Sequence, residues 1–565
     1  MLETYQNPIL PGFHPDPSIC RVGDDYYLVN STFSYFPGVP IFHSKDLIHW
    51  QQIGNVLNRM EQLNLADAEH SGGIFAPTIR YHNGTFYMIT TNVDHGGNFV
   101  VTTKNPAGPW SNPYFLEGAD GIDPSLFFDD DDKCYYCGTK GKREGGAFWG
   151  DNEIYIQELD LDTMKLTGPN YAAWQGALKN CEWQEGPHIY KKDGYYYLMI
   201  AEGGTGLNHA ITIARSESLF TPFEGCKRNP ILTHRHLGKN YPIINTGHAD
   251  LVETPNGDWF MVLLASRPCD GYCNLGRETF LVPVTWEDAW PVINYGVGLV
   301  EEKGTISYGD SSETLTKDSI INNTMKNHLK NTIKTSLTST THSFLEHFES
   351  DHLAPSFMYL RNPIKENYSL SENNSHLRLY SSQNKMRDKS SPTAVLIRQT
   401  NFSYILETKF TLNLQEPSTE AGIVLLQSNK FHYRFFISKT EDAQDNSYNI
   451  KLIQCLDGDE AVLLEQKGIH INSIHKHGAI PSYISLKVIA KRQNLSFAYS
   501  EDGVNYHTLI QDIDASILST ERASGFVGTC LGIYVQDSLD NYKTPDSIST
   551  REYADFDWLS YQNND

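Results

Sequence analysis

Short aromatic-rich strand signals recur at nearly regular intervals through the first half of this chain. Each is an apolar, period-two run, most follow a turn signal such as GDD, HNG or KDG, and no helix-period run interrupts the series. The first aromatic residues of the five runs are Tyr26, Phe86, Tyr135, Tyr195 and Trp259, with gaps of 60, 49, 60 and 64 residues. Five such units predict an all-β, five-bladed β-propeller over residues 1–308.

The rest of the 565 residues is too long to belong to the same core. Residues 309–342 are rich in Ser, Thr, Asn and Lys, which predicts a linker. Alternating strand runs then return, reading SHLRLYS, YILETKFTLNL, AGIVLLQ, HYRFFIS, SYISLKVIAK and LSFAYSEDG. Residues 343–565 are therefore predicted to form a β-sandwich domain.

Charge and cysteine content narrow the class of protein. A net charge of −23 disfavours nucleic acid as a partner, and no stretch approaches a membrane span. The N-terminus lacks a signal-peptide pattern, so a cytoplasmic location is expected.

The nine cysteines are odd in number and scattered, and neither Cys134/Cys137 nor Cys269/Cys273 has a partner pair. We therefore predict neither a disulfide framework nor a structural metal.

Acidic residues precede three of the five aromatic pairs at similar distances. Ten to twelve residues before each pair stand Asp16, Ala76, Asp123, Glu185 and His248. The first strand of each propeller blade lines the central channel, so Asp16, Asp123 and Glu185 are predicted to converge on one cavity. An isolated Asp-Pro more often caps a turn. Three acids in register instead favour catalysis or cation binding, because converging carboxylates are costly unless they are used.

Three carboxylates suit the cleavage of a glycosidic bond. That reaction needs an acid to protonate the leaving oxygen and a second carboxylate to act as base or nucleophile. If the second carboxylate activates water, the anomeric configuration inverts. A third acid nearby raises the pKa of the proton donor.

Longer motifs resemble glycoside hydrolase family 43, in its β-xylosidase and α-L-arabinofuranosidase branch. In the first half these are HPDPSIC, STFSYFPGVPIFHSKDLIHW, GGIFAPTIRYHNGTFYMITTN, GIDPSLFFDDD, EGPHIYKKDGYYYLMIAEGGTG, TGHADLV and LGRETFLVPVTW. In the second half, LAPSFMYLRNP, ENYSL and ADFDWLSY resemble the concanavalin-like (jelly-roll-like) domain of these enzymes. The resemblance covers the chain except for the linker.

The resemblance implies a role for each of the three acids. Asp16 would be the general base, Glu185 the general acid, and Asp123 the residue that tunes and orients that acid. The implied activity is the inverting, exo-acting release of a terminal pentose from xylo-oligosaccharides or arabinoxylan fragments. No cofactor is required by it.

The resemblance also implies substrate contacts by Phe33, Phe75 and Arg277. His248 would lie near the axis, where it positions polar groups or, in some relatives, faces a calcium ion. A loop of the sandwich would insert an aromatic residue into the propeller pocket, and Phe526 is the candidate. The expected partners are small pentose oligosaccharides, and homo-oligomer formation is left open.

Other interpretations remain open for these residues and for the activity. Phe33 and Phe75 could be ordinary core, and Arg277 could pair with Glu278 or Asp270 on the surface. Phe75 stands where many close β-xylosidases have Trp, which favours a sister branch with arabinofuranosidase or dual activity. β-1,4-D-Xylosidase is the main prediction, α-L-arabinofuranosidase the alternative, and a non-catalytic sugar-binding propeller the alternative of another class.

Overall fold

The structure, a computed structural model, describes residues 2–307, 343–441, 447–470, 483–539 and 550–564. The predicted linker over 309–342 lies outside the described residues. Within these ranges the helices are one α-helical turn, Thr520–Ala523, and two 3₁₀ turns, Lys365–Asn367 and Ala515–Leu518. No helix there is long and apolar enough to cross a membrane. The all-β prediction is confirmed.

Five four-stranded antiparallel sheets follow one another along the first half of the chain. Strand β1 (Leu2–Gln6) pairs with β23 (Lys303–Ser307), and β4 is Tyr35–Phe36. The blade strands are β2 Ser18–Val22, β3 Asp25–Val29, β5 Gly38–Ser44, β6 Gln51–Leu57; β7 Thr78–His82, β8 Thr85–Asn92, β9 Gly97–Thr103, β10 Tyr114–Phe115; β11 Ile122–Phe128, β12 Cys134–Gly141, β13 Asn152–Asp160, β14 Lys165–Trp174; β15 Glu185–Lys192, β16 Tyr195–Glu202, β17 Ala210–Ser216, β18 Glu224–Gly225; β19 Ile244–Glu253, β20 Trp259–Ser266, β21 Glu278–Glu287, β22 Trp290–Ile293.

The first strands of the five sheets form a closed ring. β2 contacts β7, β7 contacts β11, β11 contacts β15, β15 contacts β19, and β19 returns to β2. The aromatic pairs that gave the repeat lie in the second strands, β3, β8, β12, β16 and β20. This arrangement is the predicted five-bladed propeller.

A buried ion pair ties four of the five inner strands together. Arg80 of β7 donates to both carboxylate oxygens of Asp250 on β19, at 2.8 and 3.2 Å. Asp250 also accepts from Ser18 Oγ of β2 at 2.7 Å and from Tyr190 Oη of β15 at 2.7 Å. Arg80 Nη2 donates in addition to Nδ1 of His188 at 2.9 Å. Because Asp250 is fully buried, its charge depends on Arg80 for compensation.

Replacing Arg80 by Met is expected to lower the free energy of unfolding by about 3–5 kcal/mol, because the variant leaves Asp250 buried and unpaired. Chemical denaturation at neutral pH measures the change. The exposed Arg143→Met provides the matched control, and adding Asp250→Asn to Arg80→Met is expected to restore part of the loss. Equal stability of the two arginine variants would contradict this role.

The second half of the chain forms two packed sheets, as predicted for a sandwich. One sheet has the order β26-β27-β38-β29-β34-β35-β36 with β24 on β38, and the other β28-β37-β30-β31-β32-β33. The strands are β24 Phe344–Glu346, β25 Tyr359–Leu360, β26 Tyr368–Ser369, β27 Leu377–Tyr380, β28 Ala394–Arg398, β29 Tyr404–Asn413, β30 Thr419–Ser428, β31 Phe431–Lys439, β32 Ser447–Leu456, β33 Asp459–His470, β34 Tyr483–Lys491, β35 Asn494–Ser500, β36 His507–Asp514, β37 Cys530–Asp537 and β38 Tyr553–Asn563.

Four strands of the six-stranded sheet, β28, β30, β31 and β37, are buried on both faces along almost their whole length, and the outer face of these strands holds the two domains together. On β30, Ile423 and Leu425 face the core of the sandwich, whereas Val424 and Leu426 pack with Phe13, Phe33 and Tyr35 of the propeller. Burial on both faces explains the unbroken apolar run AGIVLLQ. Strand β4 of the propeller also pairs with β25 of the sandwich. This interface fixes the sandwich loop that carries Phe526 over the propeller.

Candidate active site

The inner strands of four blades each carry a residue in the left-handed region of backbone space, within the strand or two residues before it. These residues are Asp16, Asp123, Gly186 and His248, with φ values of 51, 53, 57 and 46°. For non-glycine residues this conformation costs about 1–3 kcal/mol and is commonly retained at functional sites. The structurally equivalent residue in the fourth blade is thus Gly186, and Glu185 stands one residue earlier than the sequence register indicated.

Asp16 is buried and held as an anion by neighbours on both oxygens. Arg277 Nη1 donates to its Oδ1 at 2.9 Å, and Ser31 Oγ donates to its Oδ2 at 2.5 Å. His248 Nδ1 lies 3.8 Å from Oδ1. Burial opposes ionisation, but Arg277, His248 and Ser31 together hold the pKa of Asp16 below its usual value. Asp16 is therefore ready to accept a proton.

The pKa values of Glu185 and Asp123 are shifted in the opposite direction to that of Asp16. Burial, followed by the charges of Asp123 and Asp16, raises the pKa of Glu185 well above its usual value. Burial also raises the pKa of Asp123, with a further contribution from Asp16. Asp123 Oδ2 accepts a hydrogen bond from the backbone N–H of Gly186 at 3.2 Å, which links it to the residue after Glu185. One site thus combines a carboxyl group of lowered pKa with two of raised pKa, the pattern of an acid and base pair.

Three phenylalanines and Arg277 form one wall beside the acids. The ring of Phe33 lies 5.3 Å from Phe75 and 5.8 Å from Phe526. Arg277 lies over the rings of Phe33 and Phe526, and its Nη2 donates to the carbonyl oxygen of Phe526 at 3.2 Å. Phe526 comes from the sandwich, and its backbone N–H donates to Ser71 Oγ of the propeller at 2.9 Å. The structure therefore brings Phe33, Phe75, Arg277 and Phe526 together.

Surface pairing of Arg277 is excluded by these contacts. Glu278 is paired with Arg267 at 2.7 Å, and Asp270 is paired with Arg492 at 2.6 Å. Arg277 itself is 9% exposed. Phe33, at 2% exposed, belongs to the apolar domain interface as well as to the wall of the site, so the two interpretations of this residue are not exclusive.

His248 lies at the axis beside the acids, and its ring packs against Gly186. Calcium prefers a shell of oxygen ligands. The two oxygens of Asp250, the buried carboxylate of the axial ion pair, already accept six hydrogen bonds between them, from Arg80, Ser18, Tyr190 and the backbone N–H groups of Ile19 and Leu251. That part of the channel therefore fits a guanidinium and not a calcium ion. Calcium near His248 itself stays a prediction.

Two polar residues that sequence reasoning missed line a cavity that shares Arg277 and Phe526 with the site. A cavity of about 640 Å³ is lined by Thr205, Asn245, Arg277 and Phe526 among others. Thr205 Oγ1, Asn245 Oδ1 and Arg277 Nε are buried and have no hydrogen-bond partner among the described residues. Buried polar atoms are normally paired, so three of them around one cavity indicate a polar ligand. The glycine pair Gly203 and Gly204 before Thr205 was the available sequence signal, and both glycines adopt left-handed backbone angles in the structure.

Comparisons with known proteins match both halves of the chain. The profile of glycosyl hydrolases family 43 matches residues 5–291, and that of the β-xylosidase C-terminal concanavalin A-like domain matches residues 345–562. The chain is 44% identical to a xylosidase/arabinosidase of Butyrivibrio fibrisolvens, over 98% of this chain and 99% of that protein. It is 33% identical to a non-reducing end α-L-arabinofuranosidase of Bacteroides ovatus, over 99% and 95%.

A solved structure extends the likeness to the whole fold. The crystal structure of xylan β-1,4-xylosidase from Bacillus halodurans has a TM-score of 0.82 and 33% identity, and covers 99% of this chain and 100% of that one. Family profile, full-length relatives and full-length fold all indicate the same family. The chain therefore belongs to glycoside hydrolase family 43 and is a glycoside hydrolase.

Proposed function

We propose that this enzyme releases single pentose units from the non-reducing end of xylo-oligosaccharides or arabinoxylan fragments, with inversion at the anomeric carbon. The observation that carries the proposal is a pair of opposite pKa shifts within one site. The pKa of Asp16 is lowered, and the pKa of Glu185 is raised. Sugar binding alone needs no carboxyl group that keeps its proton near neutral pH. This asymmetry favours a hydrolase over a non-catalytic sugar-binding propeller.

Each acid has one step in the proposed mechanism. Asp16 takes a proton from a water molecule as the water attacks the anomeric carbon, while Glu185 gives its proton to the leaving oxygen. Asp123 keeps that proton on Glu185 until it is needed, because its negative charge raises the pKa of Glu185. Arg277 and Ser31 keep Asp16 oriented and ionised.

The aromatic wall supports exo action on a terminal sugar. Phe526 packs on Phe33 and Phe75 and is held there by the contact with Ser71. A polymer could not continue past this wall, so a terminal residue is the part of a substrate that fits. Thr205, Asn245 and Arg277 each have a buried polar atom that no described residue pairs with, and these atoms could bind its hydroxyl groups.

β-1,4-D-Xylosidase is the main activity proposed, and α-L-arabinofuranosidase or dual activity is the alternative. Relatives with either name match the whole chain. Hydrolysis of 4-nitrophenyl β-D-xyloside and 4-nitrophenyl α-L-arabinofuranoside, measured side by side, distinguishes them. A large loss of activity in Asp16→Ala, which is expected for every leaving group, must accompany any signal, to exclude a contaminating enzyme. No turnover of either compound or of xylobiose would refute the proposal.

Inversion at the anomeric carbon can be tested separately from substrate preference. Proton NMR during the first minutes of xylobiose hydrolysis is expected to show α-xylose from the cleaved β-linkage, before mutarotation mixes the anomers. The reference is a spectrum of the same product after full equilibration. β-Xylose as the first product would mean that Asp16 or Glu185 acts as a nucleophile.

The proposed role of Asp123 predicts a change in the pH profile. Asp123→Asn removes a negative charge next to Glu185, so Glu185 loses its proton at lower pH. The alkaline limb of kcat/KM is therefore expected to move to lower pH, whereas the acidic limb, which reports Asp16, moves less. The same profile for the exposed Asp130→Asn is the control. An unchanged alkaline limb in Asp123→Asn would remove Asp123 from this role.

A further inference from the structure

Three potential metal ligands lie side by side on the six-stranded sheet of the sandwich. They are His432 on β31, Cys455 on β32 and Glu460 on β33. His432 pairs with Cys455 across one strand boundary, and Cys455 pairs with Glu460 across the next. One ligand atom from each residue lies within 4.8 Å of the other two. The row is distinct from the acids of the active site and from the cysteine pairs considered in the sequence.

Among the residues that the structure describes, one ring nitrogen of the histidine in this row has no hydrogen-bond partner. His432 is 0% exposed, and its Nδ1 lies 3.3 Å from the carbonyl oxygen of Ser428. A proton on Nδ1 donated to that carbonyl leaves the lone pair on Nε2, which is buried and has no partner among the residues that the structure describes. Metal-bound histidines show this arrangement, since the second ring nitrogen commonly donates to a carbonyl or carboxylate.

The other two residues add a soft and a hard ligand. The sulfur of Cys455 is buried, and its hydrogen bond, to the carbonyl oxygen of Asn429 at 3.7 Å, is long. Oε1 of Glu460 accepts from Arg434 at 2.9 Å, and Oε2 lies 3.5 Å from Arg387. Each carboxylate oxygen has a further lone pair, so these arginines orient Glu460 while it remains able to bind a cation.

We propose that His432, Cys455 and Glu460 form a zinc site, with water as the fourth ligand. Imidazole, thiolate and carboxylate are the ligands that zinc takes, at about 2.0–2.3 Å. Ligand atoms at those lengths in a tetrahedral site are about 3.3–3.8 Å apart. Since the three ligand atoms lie within 4.8 Å of one another, each pair has to approach by about 1.5 Å at most. The thiol of Cys455 gives up its proton when the zinc–sulfur bond forms.

Zinc and cobalt titration of the full-length chain, after dialysis against a chelator, tests the site. One equivalent of zinc is expected to bind and to raise the melting temperature, because the ion binds the folded sheet. Cobalt in place of zinc is expected to give a thiolate-to-cobalt charge-transfer band in the near ultraviolet. Cys455→Ser is expected to abolish that band and to weaken zinc binding by at least about 10–100-fold, the loss seen when even outer-shell partners are removed. Cys137→Ser, equally buried but in the propeller, is expected to keep both.

A second variant keeps the test decisive if Cys455→Ser fails to fold. Glu460→Gln keeps the thiolate and is therefore expected to keep the cobalt band while its zinc affinity falls. The proposal is overturned if zinc does not bind, if bound cobalt shows no thiolate band, or if Glu460→Gln binds zinc as tightly as the unmodified chain. None of these readouts depends on hydrolysis, so failure here leaves the proposed activity untouched.

Discussion

Replacing Glu185 by alanine is expected to separate two classes of substrate. Xylobiose has a poor leaving group, so loss of the proton donor should lower its kcat/KM by about 10²–10⁴-fold, the usual contribution of a positioned acid. A 2,4-dinitrophenyl xyloside releases an anion that needs little protonation, so its loss should be modest. The physical reason is the raised pKa of Glu185, which keeps a proton available at neutral pH.

The exposed residue Glu217, in the same blade, provides the matched control. Glu217→Ala is expected to change neither substrate. Equal losses for xylobiose and the dinitrophenyl xyloside in Glu185→Ala would mean that Glu185 is not the acid. Asp123, whose pKa is also raised by burial, would then be the next candidate.

The architecture of both domains could be predicted from the sequence because its determinants are local. Period-two apolar runs and turn residues decide where strands begin and end, and they occur in every blade. The aromatic pairs at Tyr26, Phe86, Tyr135, Tyr195 and Trp259 all lie in second strands. Regular spacing then distinguishes a propeller from a sandwich without any long-range information.

The exact register of the acids could not be obtained in this way. Asp16, Asp123 and His248 adopt left-handed backbone angles that cannot be predicted from their residue types. Register shifts at the starts of β11, β15 and β19 change the count of residues between an inner-strand side chain and the aromatic pair. Glu185 therefore precedes the equivalent position by one residue while still belonging to the same electrostatic cluster.

Side-chain contacts between residues far apart in the sequence could not be predicted either. Arg277 binds Asp16, 261 residues away, and not its neighbours Glu278 and Asp270. The sandwich loop with Phe526 was placed by the family resemblance and not by the residues. One local signal of domain contact did exist: the run AGIVLLQ has no polar alternation, as expected when both faces of a strand are covered.

Replacing Asp16 by alanine is expected to lower kcat/KM about 10²–10⁴-fold for xylobiose and for the dinitrophenyl xyloside alike. Water must be activated whatever the leaving group, and Asp16 is the carboxylate that Arg277 and Ser31 hold ionised. The exposed Asp24→Ala, in the same blade, is the control for nonspecific effects. A large loss on xylobiose with little loss on the dinitrophenyl xyloside would show Asp16 to be the acid instead.

Azide provides the stricter test, because it attacks without giving up a proton. In Asp16→Ala, the side chain removed leaves room for a small anion next to Arg277, whose positive charge has lost its partner. Azide is then expected to restore part of the turnover of the dinitrophenyl β-xyloside: a bond forms from azide to the anomeric carbon, and dinitrophenolate leaves. Because attack comes from the side of the missing base, the product should be α-xylosyl azide. Formation of β-xylosyl azide, or the same acceleration by azide in Asp24→Ala as in Asp16→Ala, would contradict the assignment of Asp16 as the base.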